Sequence, residues 1–315
     1  MEYEKIHAIV NPNSAGGKTK ENWPALQKKI EKTLGSFSFA ETAGKGDGKN
    51  KAKEAALSGK TETLLIVGGD GTLSEVVDGI LNEFPGGKGA ENIKIGLIPQ
   101  GTAGDFTRSL GLPLKTEPAL EKIKAGNTVT ADAGKAEYVT MDGKNDSRHF
   151  VHAVACGMAG EVSGTIKSGL KKMFGGFSYY LWAATKLLSY KNKKVLIRLN
   201  GDSQGEPHDI TNLAICNGTF YGGGMRMAPG AIVDDGSFNL TIVGDWSVLD
   251  KLLLSSKLYN GSIHSAKKVQ NKLVRSVEIV PRDGSAPAHI DIDGEWVGVL
   301  PLKITMIPSA IRLIV

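Results

Sequence analysis

At 315 residues with 41% hydrophobic and 23% charged content, the chain is long enough for two domains with real cores, and its composition is not that of a disordered protein. Lys and Arg outnumber Asp and Glu by 38 to 33, and the net charge of +5 falls far short of the basic stripe of a nucleic-acid binder. Two isolated cysteines, Cys156 and Cys216, exclude a disulfide framework and a structural zinc site, and no apolar run approaches the roughly 18 residues that span a bilayer. The acidic start runs straight into a strand, unlike a signal peptide. Ile6–Val10 reads as a strand closed by Asn11-Pro12-Asn13-Ser14. A helix follows from about Glu21 to Leu34, then a short strand around Phe37 and Phe39, then a helix over Asn50–Leu57. Thr63–Val67 is a continuous apolar run, the mark of a strand buried on both faces. Leu73, Val76, Val77, Ile80 and Leu81 then recur at helical spacing, and Ile93–Ile98 is the next strand. Strands alternating with helices predict a parallel α/β domain over 1–130.

Beyond about Ala131 the pattern changes. Val195–Leu199, Leu213–Ile215, Phe238–Val243, Val277–Val280 and Leu302–Ile307 read as strands, and only about 161–190 and 246–259 look helical. This predicts a β-sandwich over 131–305. Gly201-Asp202-Ser203-Gln204-Gly205 fits a nucleophile-elbow pattern in letters, but it joins a strand to Glu206-Pro207 and reads as a hairpin turn. The six histidines show no metal-ligand spacing.

The strongest chemical signal is Gly68-Gly69-Asp70-Gly71-Thr72, set between a buried strand and an amphipathic helix. Glycines let the main chain approach a polyphosphate, successive amides form an anion nest, and the helix N-terminus adds its dipole. Thr72 can cap that helix or bond a phosphate oxygen. Asp70 would repel the ligand unless a magnesium ion lies between them. Two further loops end strands in the same way: Asn11-Pro12-Asn13-Ser14-Ala15-Gly16-Gly17-Lys18, and Pro99-Gln100-Gly101-Thr102-Ala103-Gly104-Asp105-Phe106. Three such loops on one rim of a parallel sheet predict a nucleotide-polyphosphate site.

These loops, together with Leu73-Ser74-Glu75-Val76, Ala228-Pro229, Asp234-Asp235-Gly236 and Asp291-Ile292-Asp293-Gly294-Glu295, resemble the diacylglycerol kinase catalytic-domain family, which includes sphingosine and ceramide kinases. The resemblance runs through nearly the whole chain in the family's order. It implies an ATP-binding α/β domain, a β-sandwich that helps accept lipid, and a last strand (306–315) returning to the first domain. It also implies ATP and Mg2+ as cofactors, with Asn11, Ser14, Thr42, Gly69 to Glu75, and Thr102 contacting ATP. Thr42 rests only on its position after the second strand. A structural magnesium would take Asp235 and the main-chain oxygens of Ile232 and Ser237, although the same segment also reads as a plain β-turn. Asp293 or Glu295 would be the base that takes the acceptor's proton; without the resemblance, Asp293-Gly294 is a hairpin turn.

The implied activity is transfer of the γ-phosphoryl of ATP to a lipid hydroxyl, diacylglycerol first, giving phosphatidic acid. A sphingoid-base or other lipid kinase, an NAD kinase, and a non-catalytic nucleotide- or lipid-binding homologue are the rivals. NAD kinases share the Gly-Gly-Asp-Gly-Thr loop, but their Asn-Glu pair has no good counterpart, since Leu81-Asn82-Glu83 lies late in a helix. Residues 161–194 hold seven lysines and one acid interleaved with aromatics. That pattern suits either docking on anionic headgroups or a helical hairpin with a buried aromatic stripe. The expected location is cytoplasmic with transient membrane contact and no nucleic-acid partner; a homodimer is left open.

Overall fold

The computed structural model describes residues 5–101, 103–165 and 189–315. It divides into two compact units: one comprises the chain up to Ala133 with Val233–Gly236 and Ile307–Val315, the other Gly134–Ile232 with Ser237–Met306.

The first unit alternates β1 (Ile6–Val10), α1 (Lys18–Leu34), β2 (Ser38–Glu41), α2 (Asp47–Leu57), β3 (Thr63–Gly68), α3 (Asp70–Glu83), β4 (Lys94–Pro99), α4 (Asp105–Ser109) and α5 (Thr116–Ala125). Its strands lie in the order β4-β3-β1-β2, all parallel. Central β3 is buried along almost its whole length, which is why its sequence is apolar without alternation. One face packs Val10, Leu65, Val67 and Ile98 against Trp23, Leu26 and Ile30 of α1 and Leu120 and Ile123 of α5. Val76, Val77, Ile80 and Leu81 of α3 are fully buried, as their spacing predicts.

The second unit is antiparallel and takes its strands from β5 (Thr128–Val139), β6 (Asn145–Phe150), β7 (Ala153–Gly157), β8 (Lys193–Leu199), β9 (Glu206–Ile210), β10 (Asn212–Cys216), β13 (Phe238–Val243), β14 (Val269–Val274), β15 (Ser276–Pro281), β16 (His289–Ile292) and β17 (Glu295–Ile314). The two-residue strands β11 (Phe220–Tyr221) and β12 (Met225–Arg226) pair with each other. One layer runs β14-β13-β10-β7-β16, while β9, β8, β15 and β17 pair in series in the other. Between them Phe150, Phe238, Ile215, Ile279 and Leu302 belong to one continuous core, the sandwich that the sequence pattern predicts. On β7 and β10 the alternate residues Ala153, Ala155, Ala214 and Cys216 enter a second cluster with Trp246 and Ile263, so both strands are buried throughout. Among the described residues the unit also holds helices α6 (Met158–Thr165), α7 (Val248–Leu254) and α8 (Ser256–Asn260). Residues 201–205 connect β8 to its antiparallel neighbour β9, so the Ser203 pattern is a hairpin turn and not an elbow. Among the described residues, no helix is long and apolar enough to cross a membrane. The segment 161–194, with most of its lysines and aromatics, lies largely outside the described residues.

Candidate functional site

Parallel register places the ends of four strands on one rim of the first unit. Val10 is level with Glu41 and Val67, and Gly68 is level with Pro99. The loops leaving those strands are tied to one another. The Asn11 side-chain amide donates to Thr72 Oγ1 at 2.9 Å, joining the first loop to the third. The Asp105 main-chain N–H donates to Asp70 Oδ2 at 2.9 Å, joining the third to the fourth. Gly69 and Gly101 approach so closely that a Cβ on Gly101 would stand 2.7 Å from the Cα of Gly69. Only glycine allows that approach. Ser14 is folded back, its hydroxyl donating to the Asn11 carbonyl at 2.8 Å and lying 2.6 Å from Thr19 Oγ1. Asn13 donates its main-chain N–H to Asn11 Oδ1, and the Pro12 carbonyl accepts from Lys20. Ala15, Gly16 and Gly17 follow with successive positive φ of 52°, 71° and 98°. Thr42, at the end of β2, is buried and donates its N–H to the Val10 carbonyl. A cleft of about 130 Å³ opens among Gly68, Gly69, Asp70, Gly101, Gly104 and Leu73.

Three sequence expectations are refined here. Gly69, not Thr72, is the N-cap of α3, and Thr72 Oγ1 instead receives Asn11. Ser74 is completely buried inside α3. Glu75 spends both carboxylate oxygens on the main-chain amides of Gly46 (2.7 Å) and Gly48 (2.9 Å), holding the start of α2 in place. Of the residues expected at a nucleotide, Thr102 lies outside those described.

In the second unit, Ile292 pairs with Glu295, so Asp293-Gly294 is a two-residue hairpin loop between β16 and β17. Both residues have positive φ, 51° and 85°, the geometry for which Asp-Gly is favoured. The turn directs the Asp293 carboxylate inward, where it accepts main-chain amides from His152 (3.1 Å) and Ala153 (2.8 Å), with Val151 at 3.4 Å. Glu295 is part-buried and takes Arg148 at 2.6 Å. A third acid, Asp291, is buried; its Oδ1 accepts from Tyr221 Oη and from the Gly294 N–H, both at 2.9 Å. Burial pushes the Asp291 carboxyl up from its ordinary range.

A model of the diacylglycerol kinase catalytic domain matches residues 5–136, and one of the YegS C-terminal NAD kinase beta sandwich-like domain matches residues 152–315. A diacylglycerol kinase of Staphylococcus carnosus (strain TM300) is 32% identical over 298 residues, 95% of this chain and 90% of that protein. The chain belongs to the diacylglycerol kinase family. A crystal structure from Bacillus anthracis str. Sterne, 23% identical, covers 100% of this chain and 96% of its own with a TM-score of 0.76. A yeast NADH kinase solved with NADH is 10% identical, covers 99% of this chain and 82% of its own, and has a TM-score of 0.54. At these identities the two structures establish the fold alone.

Family membership makes the chain a kinase, which implies ATP as phosphoryl donor. The interlocked glycine rim fits a polyphosphate: a Cβ at Gly71 would meet nothing within 4 Å, so main chain there is open to a ligand. For a magnesium ion, Asp235 is exposed and the donor set proposed around it is all oxygen, the chemistry a hard divalent cation takes. Among the described residues no three His, Cys, Asp or Glu side chains cluster as a metal site, so any cation there leans on carbonyls.

Sequence reasoning missed Asp132, which is buried with its Oδ2 accepting from Gly236 and its Oδ1 from Ser309, each at 2.7 Å. One carboxylate thus pins the turn after Asp235 and the start of the returning last segment. It also missed Arg148 and Tyr221, which hold Glu295 and Asp291. None of the three stands in a motif; their partners are 70 to 177 residues away along the chain.

Proposed function

We propose that this kinase transfers the γ-phosphoryl of ATP to the primary hydroxyl of diacylglycerol at a membrane surface, giving phosphatidic acid and ADP. The observation that carries the reading is the interlocking of the Asn11, Gly69 and Gly101 loops on one rim, which gathers glycine main chain beside the N-terminus of α3, the kind of place where a phosphate chain is held. The hydroxyl oxygen bonds to the γ-phosphorus, the bond from that phosphorus to the bridging oxygen breaks, and the hydroxyl proton passes to a carboxylate.

The surroundings of the two hairpin acids favour Glu295 as that carboxylate. Asp293 is committed to main-chain amides and shapes the turn, whereas Glu295 is held through an arginine that orients it. Asp70, which carries the α4 start on its Oδ2, is proposed to face the donor's phosphates through a divalent cation. Asp235, with the carbonyls of Ile232 and Ser237, would hold a second, structural one. A bound Mg2+ would supply charge neutralisation at the phosphates.

The deciding experiment follows ATP consumption over a panel of dispersed diacylglycerol, ceramide and sphingoid bases, with NAD included because of the NADH kinase likeness in fold. Phosphatidic acid formed only with diacylglycerol supports the proposal. Turnover with NAD alone, or ATP hydrolysis indifferent to lipid, removes it.

A further inference from the structure

A helix on a protein surface ordinarily turns its apolar side to the core and its charged side to water. Helix α7 does the reverse. Asp250 and Lys251 are buried at 6% and 2% exposure, while Leu249, Leu252 and Leu253 are exposed at 63%, 53% and 65%. The inward polar groups are fully provided for. Asp250 closes a capping box with Ser247 and pairs with Lys267 at 2.6 Å. The Lys251 ammonium donates to the Tyr190 carbonyl at 2.8 Å and lies 5.5 Å from the Tyr190 ring centre. Leu254 and Leu258 anchor α7 and α8 on the second core cluster, and Tyr259 of α8 is exposed at 53%. An outward apolar patch on such a fixed base is a contact surface.

Charge around the patch selects its occupant. From Asp245 to Lys272 there are five lysines and two acids; Lys251 is buried, Lys267 pairs with Asp250 and Lys272 with Glu206, which leaves Lys257 and Lys268 against Asp245 at the rim. Lys257 and Lys268 donate to a serine hydroxyl and a main-chain carbonyl, so neither charge is cancelled. A second copy docking through the same patch would bring this basic rim against itself. We propose that the leucine face of α7, with Tyr259, inserts into the surface of an anionic bilayer, Lys257 and Lys268 lying among the headgroups. The surface deepens the lipid-kinase reading by naming the element through which that enzyme would reach its acceptor.

The test is sedimentation with phosphatidylcholine vesicles of rising phosphatidylglycerol content, without ATP, for the full chain and for the double variant Leu249→Asp and Leu253→Asp. Each aspartate should weaken binding about tenfold with the melting temperature unchanged, since both side chains face water. Lys257→Gln with Lys268→Gln should flatten the dependence on phosphatidylglycerol. Wild-type binding that ignores phosphatidylglycerol, or a double variant that sediments like wild type, overturns the proposal. So does a wild-type dimer that the double variant converts to monomer with vesicle binding retained. A short-chain diacylglycerol in true solution separates this from the functional reading: the double variant should phosphorylate it at the wild-type rate. If no lipid is phosphorylated yet the leucines are needed for sedimentation, the docking surface stands and the assigned activity falls.

Discussion

Carboxylates buried close together acquire different tasks from the donors around them. Asp293 is 7% exposed and supplies the acceptor for main-chain amides at 152 and 153. Removing it with Asp293→Ala strands those donors, at a cost of about 2–4 kcal/mol, and replaces a residue that tolerates φ 51° with one that does not. Glu295→Gln keeps an acceptor for Arg148, so its melting temperature should stay near wild type while turnover falls about 10²- to 10⁴-fold. Thermal melts and kcat on both variants check the pair; a folded Glu295→Gln enzyme with full turnover would shift the role to Asp293. Asp291 has a pH signature. Burial, the largest influence, raises its carboxyl above the ordinary 3.8, against hydrogen bonds from Ser163, Tyr221 and Gly294 and with the charge of Asp293. The folded state therefore binds the proton more tightly than the unfolded chain. The stability this gives is full below 3.8 and is lost as pH rises through the folded value. Asp291→Asn removes the titration, so the melting temperature of wild type should fall relative to the variant as pH climbs above 3.8. A difference that does not change with pH sinks the argument.

Among the elements, the rim loops separate two uses of glycine. At Gly101 the missing Cβ makes room for another loop, so Gly101→Ala must push Gly69 away, costing about 1–3 kcal/mol of stability and about tenfold or more in nucleotide affinity. At Gly71 the space is open in the free protein, so Gly71→Ala should melt like wild type and lose nucleotide affinity alone. Nucleotide titration beside thermal melts distinguishes them; equal affinity in Gly71→Ala and wild type would place the phosphates elsewhere. These loops were legible in the sequence because their glycines punctuate strongly patterned strands and helices. The sandwich was legible only in part. Strands such as β13 and β15 announce themselves with β-branched and large aliphatic residues, whereas β5 reads Thr-Val-Thr-Ala-Asp-Ala-Gly-Lys-Ala and β7 reads Ala-Val-Ala-Cys-Gly. Their small residues follow from neighbours that already fill the space: Gly134 of β5 lies directly against the rings of Phe150 and Phe238. Such a strand is dictated by tertiary packing and carries little propensity of its own. The same holds for Asp132, Arg148 and Tyr221, whose roles exist only once distant strands have paired.

At the scale of the whole chain, the first unit is discontinuous. Its sheet is completed by the last strand, whose Arg312 and Leu313 pair in parallel with Lys94 and Ile95 of β4. Ile311, Leu313 and Ile314 are each at most 3% exposed, and the Val315 N–H donates to the Asn127 carbonyl at 2.9 Å. Each of those aliphatic side chains contributes about 2–5 kcal/mol if its loss resembles a core truncation. Together they rival the roughly 5–15 kcal/mol that stabilises a typical domain. Deleting residues 307–315 should therefore unfold the first unit and also release Asp132 from Ser309. The sandwich has its own core, built from residues between Ala136 and Ile304, and should survive the deletion. Hydrogen exchange resolves the two: amides of β3 and β4 should lose protection in the truncated chain while those of β10 and β13 keep it. If β4 stays protected without the last strand, the first unit folds from its N-terminal residues alone, and its nucleotide rim should then bind ATP as an isolated fragment. If both sheets lose protection together, the two cores form one cooperative unit despite their separate residue sets.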